Sequence, residues 1–186
     1  LLGNQSPKAL AGWTNSFAYK NVSLSFQIDG RFGGEFFSGT NVNLQANGAA
    51  AVTAPNGLRE DFIVDGVIAS GNSYVVNDKT VTQQQYWTQV ATSGNLGIGE
   101  ANIYDATNIR LRNISLNYRL PSSILKNTFI QNAKFGFTVN NVWMIKSNAH
   151  GVDPESVFSI STNATGFENF STPTSRSYFF NLTFGF

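Results

Sequence analysis

Large apolar side chains alternate with mostly smaller or polar ones through the last stretch of the chain, Arg176 to Phe186. Tyr178, Phe180, Leu182, Phe184 and Phe186 fall on one side of an extended chain; Ser177, Phe179, Asn181, Thr183 and Gly185 fall on the other. Period two is the pattern of a strand with one apolar face. It recurs upstream. Trp13, Phe17 and Tyr19 oppose Thr14, Ser16, Ala18 and Lys20, while Val22, Leu24, Phe26 and Ile28 oppose Ser23, Ser25, Gln27 and Asp29. Between Ile109 and Leu120, Ile114, Leu116, Tyr118 and Leu120 oppose Asn113, Ser115, Asn117 and Arg119. Phe135, Phe137 and Val139 oppose Lys134, Gly136, Thr138 and Asn140. Five strands are predicted, and only Lys20-Asn21 separates the first two, as a two-residue hairpin turn requires.

The connections alternate in length. Lys20-Asn21 and Pro121 to Gln131 are short, whereas Ser38 to Asn102 and Met144 to Pro173 far exceed ordinary loops. Short turns on one side and long loops on the other are what a transmembrane barrel predicts, with the C-terminus and the short turns periplasmic. A soluble β-sandwich, such as a carbohydrate-binding module, gives the same alternation within each strand. The fold expected is all-β, an antiparallel transmembrane β-barrel of which this chain supplies about five strands and two long extracellular loops. Val22, Leu24, Phe26, Ile28, Ile114, Leu116, Phe135, Phe137, Phe180 and Leu182 are then expected to face lipid. The first long loop is Gly-, Asn- and Ala-rich around Asn41 to Gly57, and one short helix is predicted in it near Thr82 to Ala91.

Composition narrows the choice. Charged residues are 12% of the 186, and aromatics 13%. Low charge with abundant Phe and Asn suits β structure with a neutral polar face, not a disordered chain. A net charge of +1 with scattered Lys and Arg argues against nucleic acid. With no cysteine there is neither a disulfide framework nor a thiolate metal site. No apolar run is long enough for a transmembrane helix, which leaves short barrel strands as the way to cross a membrane. No signal peptide opens the chain, and its only Met is Met144, so a segment of a longer precursor is expected.

Several segments together resemble the C-terminal part of SusC/RagA-type TonB-dependent outer-membrane transporters. They are Tyr19 to Phe26, Asp29-Gly30-Arg31-Phe32-Gly33-Gly34, Asp65-Gly66-Val67, Tyr86-Trp87, Tyr104-Asp105-Ala106 and Ile109 to Tyr118. Leu120-Pro121, Asn140-Asn141-Val142, Asp153-Pro154-Glu155 and Pro173 to Tyr178 follow in the family's order. The resemblance implies a barrel of about 22 strands around an N-terminal plug, of which this chain would be the last five. It also implies TonB-energised import of glycans or peptides under a SusD-like lipoprotein lid, with TonB engaged through a plug outside this chain. Asn140-Asn141-Val142 departs from the family's usual Arg-Asn-Leu and removes a charge from the wall.

No catalytic residue is proposed. A glycosidase needs paired carboxylates; Glu60-Asp61 and Asp153/Glu155 are the close acids, and both pairs read as solvated loop charges. His150 is the sole histidine, without a nucleophile elbow, and reads as a surface residue. Metal and cofactor sites are not expected, calcium at Asp153 and Glu155 being only weakly suggested. Tyr86 and Trp87, with Phe167, are the candidates to face substrate or lid. The plainer reading packs Tyr86 and Trp87 inside the loop's own small core. Phe184 and Phe186 end the final strand and are expected to serve as an assembly signal. The remaining partners are outer-membrane lipid and the rest of the same barrel. A third reading keeps the importer fold as a structural or assembly component without import.

Overall fold

The computed structural model describes residues 2–92, 97–156 and 166–186. In chain order its elements are β1 (Ala9–Tyr19), β2 (Val22–Phe32), β3 (Glu35–Ser38), α1 (Gly39–Ala46), β4 (Phe62–Ile63), β5 (Val67–Ser70), β6 (Ser73–Val76) and β7 (Thr80–Val81). Then come α2 (Gln83–Thr92), β8 (Ile103–Asp105), β9 (Asn108–Arg119), α3 (Ser122–Leu125), β10 (Asn132–Ser147), β11 (Phe167–Glu168) and β12 (Ser177–Gly185). The protein is mostly β-strand, and no described helix is long and apolar enough to cross a membrane, which leaves strands unaddressed. The described residues cluster into two compact units, one holding the five long strands and the other most of the first long loop with Phe167 to Phe170.

The long strands form one antiparallel sheet in the order β1-β2-β9-β10-β12. Each has at least the nine residues that a tilted strand needs to cross a bilayer. Tyr19 pairs with Val22 across the two-residue turn, where Lys20 takes the left-handed φ of 52°. The register aligns the apolar positions into rows: Tyr19, Val22, Tyr118, Phe135 and Leu182, then Phe17, Leu24, Leu116, Phe137 and Phe180. A third row holds Asn15, Phe26, Ile114, Val139 and Tyr178. The other face carries Ala18, Ser23, Asn117, Gly136 and Asn181 in one row and Ser16, Ser25, Ser115, Thr138 and Phe179 in the next. In these rows one face is mostly apolar and the other mostly small and uncharged.

The apolar face is open. Leu116 is 44% exposed, Leu182 61% and Phe180 80%. Its rings contact each other within the sheet: Trp13 meets Phe26 edge-on at 5.3 Å, and Phe137 lies 4.8 Å from Phe180. Aromatics stand at both ends of the strands, Trp13 and Trp143 towards the long loops, Tyr19 and Tyr118 towards the turns. A soluble sandwich would bury this face under a second sheet; none covers it among the described residues.

Strict alternation breaks at Arg112. In β9 Asn113 pairs with Gln27 and Leu111 with Ile28, so Arg112 is one residue in excess of β2. On the other side Asn140 pairs with Asn113 and Trp143 with Leu111, so β10 carries its own excess, with Asn141 at a φ of 51°. These are β-bulges. They turn Ile109 and Leu111 to the apolar face and keep Arg110 and Arg112 on the polar one. Arg176 donates to the bulge carbonyls of Asn141 (3.3 Å) and Val142 (2.6 Å). Strand β10 also extends to Ser147, so the second long loop starts later than the expected Met144.

In the other unit, the helix predicted near Thr82 to Ala91 is α2. Thr82 and Gln85 form a reciprocal cap: the Gln85 N–H donates to Thr82 Oγ1 (3.1 Å), and the Thr82 N–H to Gln85 Oε1 (3.0 Å). The buried Val90 and Ala91 of α2 and Val42 of α1 supply apolar core, and the two helices pack together. The Gly-, Asn- and Ala-rich stretch conceals α1. Ser38 caps it by accepting from the Asn41 N–H (3.1 Å). Glu168, from the two-residue strand parallel to Phe37-Ser38, accepts from Ser38 Oγ (2.8 Å) and Thr40 Oγ1 (2.5 Å).

Candidate functional site

The polar face of the sheet carries the densest chemistry. Arg112 donates through Nε to Asp29 Oδ2 (2.9 Å), and its terminal nitrogens bind both Glu155 oxygens (2.8 and 2.9 Å). Arg110, whose side chain is 4% exposed, donates to Asp153 Oδ1 at 2.6 Å and also to the Thr174 hydroxyl. Its Nε stands 3.6 Å from Glu155, an ion pair too long for a hydrogen bond. The turn at Asp153 and Glu155 is thereby tied to the polar wall at the bulge. Nearby, Asn113 Nδ2 donates to Asn140 Oδ1 (2.5 Å), so Asn140 is held by a neutral amide across the strands.

This corrects the expectation that Asp153 and Glu155 are solvated loop charges. The Asp153 side chain is only 9% exposed and that of Glu155 25%. Burial pushes the Asp153 carboxyl up, but hydrogen bonds from the Thr174 hydroxyl, from the backbone N–H groups of Glu155 and Thr174 and from Arg110 outweigh it, holding the group down at about 2. With both carboxylates committed to arginines, they are poorly placed for general acid–base work. No cluster of potential metal ligands occurs among the described residues. The signal that sequence reading missed is the pair Arg110/Arg112. Period two run back from Ile114 places both with the apolar set, a conflict that a bulge resolves.

The other predicted residues are placed as follows. Val22, Leu24, Phe26, Ile28, Ile114, Leu116, Phe135, Phe137, Phe180 and Leu182 share the apolar face. Phe184 pairs with Ala133 beyond them, and Phe186 stacks on Phe129 at 5.6 Å with rings 10° apart. Tyr86 contacts Phe62 (5.2 Å) and Trp87 (5.1 Å), both edge-on, in a small aromatic cluster. Phe167 stacks on Phe37 at 5.3 Å. His150 is exposed and meets the Tyr104 ring at its edge.

No family model matches the chain. It is 26% identical over 159 residues to the TonB-dependent receptor P3 of Formosa agariphila, covering 83% of this chain and 13% of that protein. The chain thus spans a small part of the length of the curated relative it matches. Its fold is similar to part of the RagAB peptide importer in the closed-closed state, with a TM-score of 0.61 and 16% identity over 96% of this chain and 17% of the other. The open-open state of that importer gives 0.59 and 15%, over 97% and 17%. In sequence pattern and in fold the chain is similar to a segment of SusC/RagA-type TonB-dependent transporters.

Proposed function

We propose that the chain is part of the wall of an outer-membrane, TonB-dependent importer, the last five strands of its barrel. The observation that carries this reading is the sheet itself: five strands, an apolar face uncovered among the described residues with aromatic ends, and a polar face opposite. The ten apolar-face residues named above face lipid, and the polar face lines the lumen. The C-terminus and the turns at Lys20 and Lys126 are periplasmic. The long loops reach outside and help form the mouth, over which a SusD-like lipoprotein docks; Tyr86, Trp87 and Phe167 belong to that region. The imported cargo is a glycan or a peptide, and TonB acts through a plug beyond this chain. The similarity to transporters rather than enzymes supports a role without catalysis.

This chain has no cysteine, so with any cysteine elsewhere in the full-length protein replaced, single-cysteine labelling tests the topology. In whole cells carrying the full-length protein, Asn72→Cys at the β5–β6 turn should react with a membrane-impermeant maleimide. Asn127→Cys, in the connection between β9 and β10, should react only after the outer membrane is permeabilised. The opposite labelling pattern would invert the topology, and equal labelling of both in whole cells would remove the membrane assignment.

A further inference from the structure

Between the end of α1 and the start of α2 lies a cleft of about 440 Å³, within the range of small-ligand sites. Its wall is built largely from amides and hydroxyls, including Gln45, Asn47, Gln84 and Thr88, and among the described residues its only aliphatic side chain is Ala46. Such a wall offers no apolar subpocket to the side chains of a peptide. Arg59 and Asp61 sit on the same wall with opposite charges, and Arg59 already donates to the Gly48 carbonyl (2.8 Å), so neither sign of ligand is favoured.

Two details point to an occupant. The first is Trp87. Its indole N–H donates to Gln83 Oε1 (3.0 Å), and Gln83 Nε2 in turn donates to the Glu60 carbonyl (3.1 Å). With its N–H engaged, the indole offers the cleft ring carbon alone. The second is Gln45, only 7% exposed, whose Oε1 has no hydrogen-bond partner among the described residues. Buried amide oxygens are rarely left so.

A pyranose ring has an apolar C–H face that stacks on an aromatic ring and a rim of hydroxyls that both donate and accept. We propose that this cleft binds a neutral saccharide, with Trp87 as the stacking platform and Gln45, Asn47 and Gln84 as hydrogen-bonding groups. A sugar hydroxyl supplies the donor that the Gln45 oxygen lacks once that amide turns towards the cleft. The site rests on the reading of this region as an outward loop of an importer, and it selects saccharide over peptide.

The test uses the full-length protein in detergent and isothermal titration with cellobiose, maltose, xylobiose and lactose, with trialanine as the peptide control. Saturable binding of at least one disaccharide is expected. Trp87→Ala should weaken it about tenfold. Gln84→Ala, at an exposed side chain whose loss leaves the helix intact, should weaken it about fivefold. Failure of all four sugars to bind overturns the proposal, as does binding that both substitutions leave unchanged. So does trialanine binding that is lost with the same two substitutions. Heat-modifiable migration of the same preparation reports the barrel separately. A heat-modifiable protein that ignores the sugars sinks the cleft alone, and loss of heat modifiability sinks the importer reading.

Discussion

Leu116 and Asn117 are adjacent in β9 yet point to opposite faces of the sheet, so one substitution made at each tests which face meets lipid. Leu116 lies in the row of Phe17, Leu24, Phe137 and Phe180, one row in from the Tyr19 and Tyr118 end and two from the Trp13 and Trp143 end. That is close to mid-height in the apolar band. An arginine on the lipid face at mid-height costs about 2–4 kcal/mol, falling to about 0–1 near the interfaces. Asn117 loses a long 3.3 Å hydrogen bond to Ser115 when replaced, about 0.5–1.5 kcal/mol, and its neighbour across the strand is Gly136, which leaves room for a longer side chain. Leu116→Arg should therefore destabilise by about 2 kcal/mol more than Asn117→Arg, roughly thirtyfold in the folding equilibrium. The assay is urea-dependent folding of the full-length protein into phospholipid vesicles, followed by heat-modifiable mobility. Equal costs at the two positions, or a smaller cost at Leu116, would refute the assignment of faces.

Phe186→Ala should lower the amount of inserted, heat-modifiable protein while Phe186→Tyr preserves it, because an aromatic ring at that position stacks on Phe129 and closes the final strand; normal insertion of the alanine variant at native expression rules out an assembly role. Asp153→Asn leaves Arg110 with a weaker partner in a buried setting, at about 3 kcal/mol, and should raise hydrogen exchange over residues 148–156 without changing insertion. Asp153 is held at about 2, below its ordinary value, so its contribution is complete above about pH 4 and is lost as pH falls towards 2; exchange protection of that segment should survive at pH 5 and vanish in that acid window. Ser38→Ala removes both the cap of α1 and a donor to Glu168, about 1–3 kcal/mol, and limited proteolysis should cut the first loop earlier while the sheet stays intact.

The five long strands were legible because each spends its alternation on a single contrast, apolar against small and neutral, and side chains such as Phe135 or Ser25 leave no doubt of phase. Helix α2 was legible through a run of good helix formers without alternation. Helix α1 was not, because Gly39-Thr40-Asn41-Val42-Asn43 has poor intrinsic helix propensity and is held by tertiary contacts, the Ser38 cap and the Glu168 carboxylate. The ion network stayed hidden for another reason. Asp153 and Glu155 lie 43 residues from Arg110 and Arg112 along the chain, and no local pattern reports a contact that the fold alone creates. Trp87 and Gln45 likewise meet one cleft from two helices whose packing the sequence does not print.

The paired bulges at Arg112 and Asn141 act as a phase shifter in the wall. On the turn side of them the face of every residue is fixed by the rows of Leu116 and Phe137; on the loop side the count restarts, and Leu111 rather than Arg112 takes the place on the apolar face. Substitutions leave this counting alone. A one-residue deletion at Arg112 removes the excess residue itself: Leu111 stays opposite Ile28 and Arg110 opposite Asp29, and what is lost is the arginine that holds Asp29 and Glu155. The same property makes the bulge a seam between two separately phased stretches of the sheet: a segment exchanged on the loop side of Asn113 leaves the rows of Leu116 and Phe137 as they are.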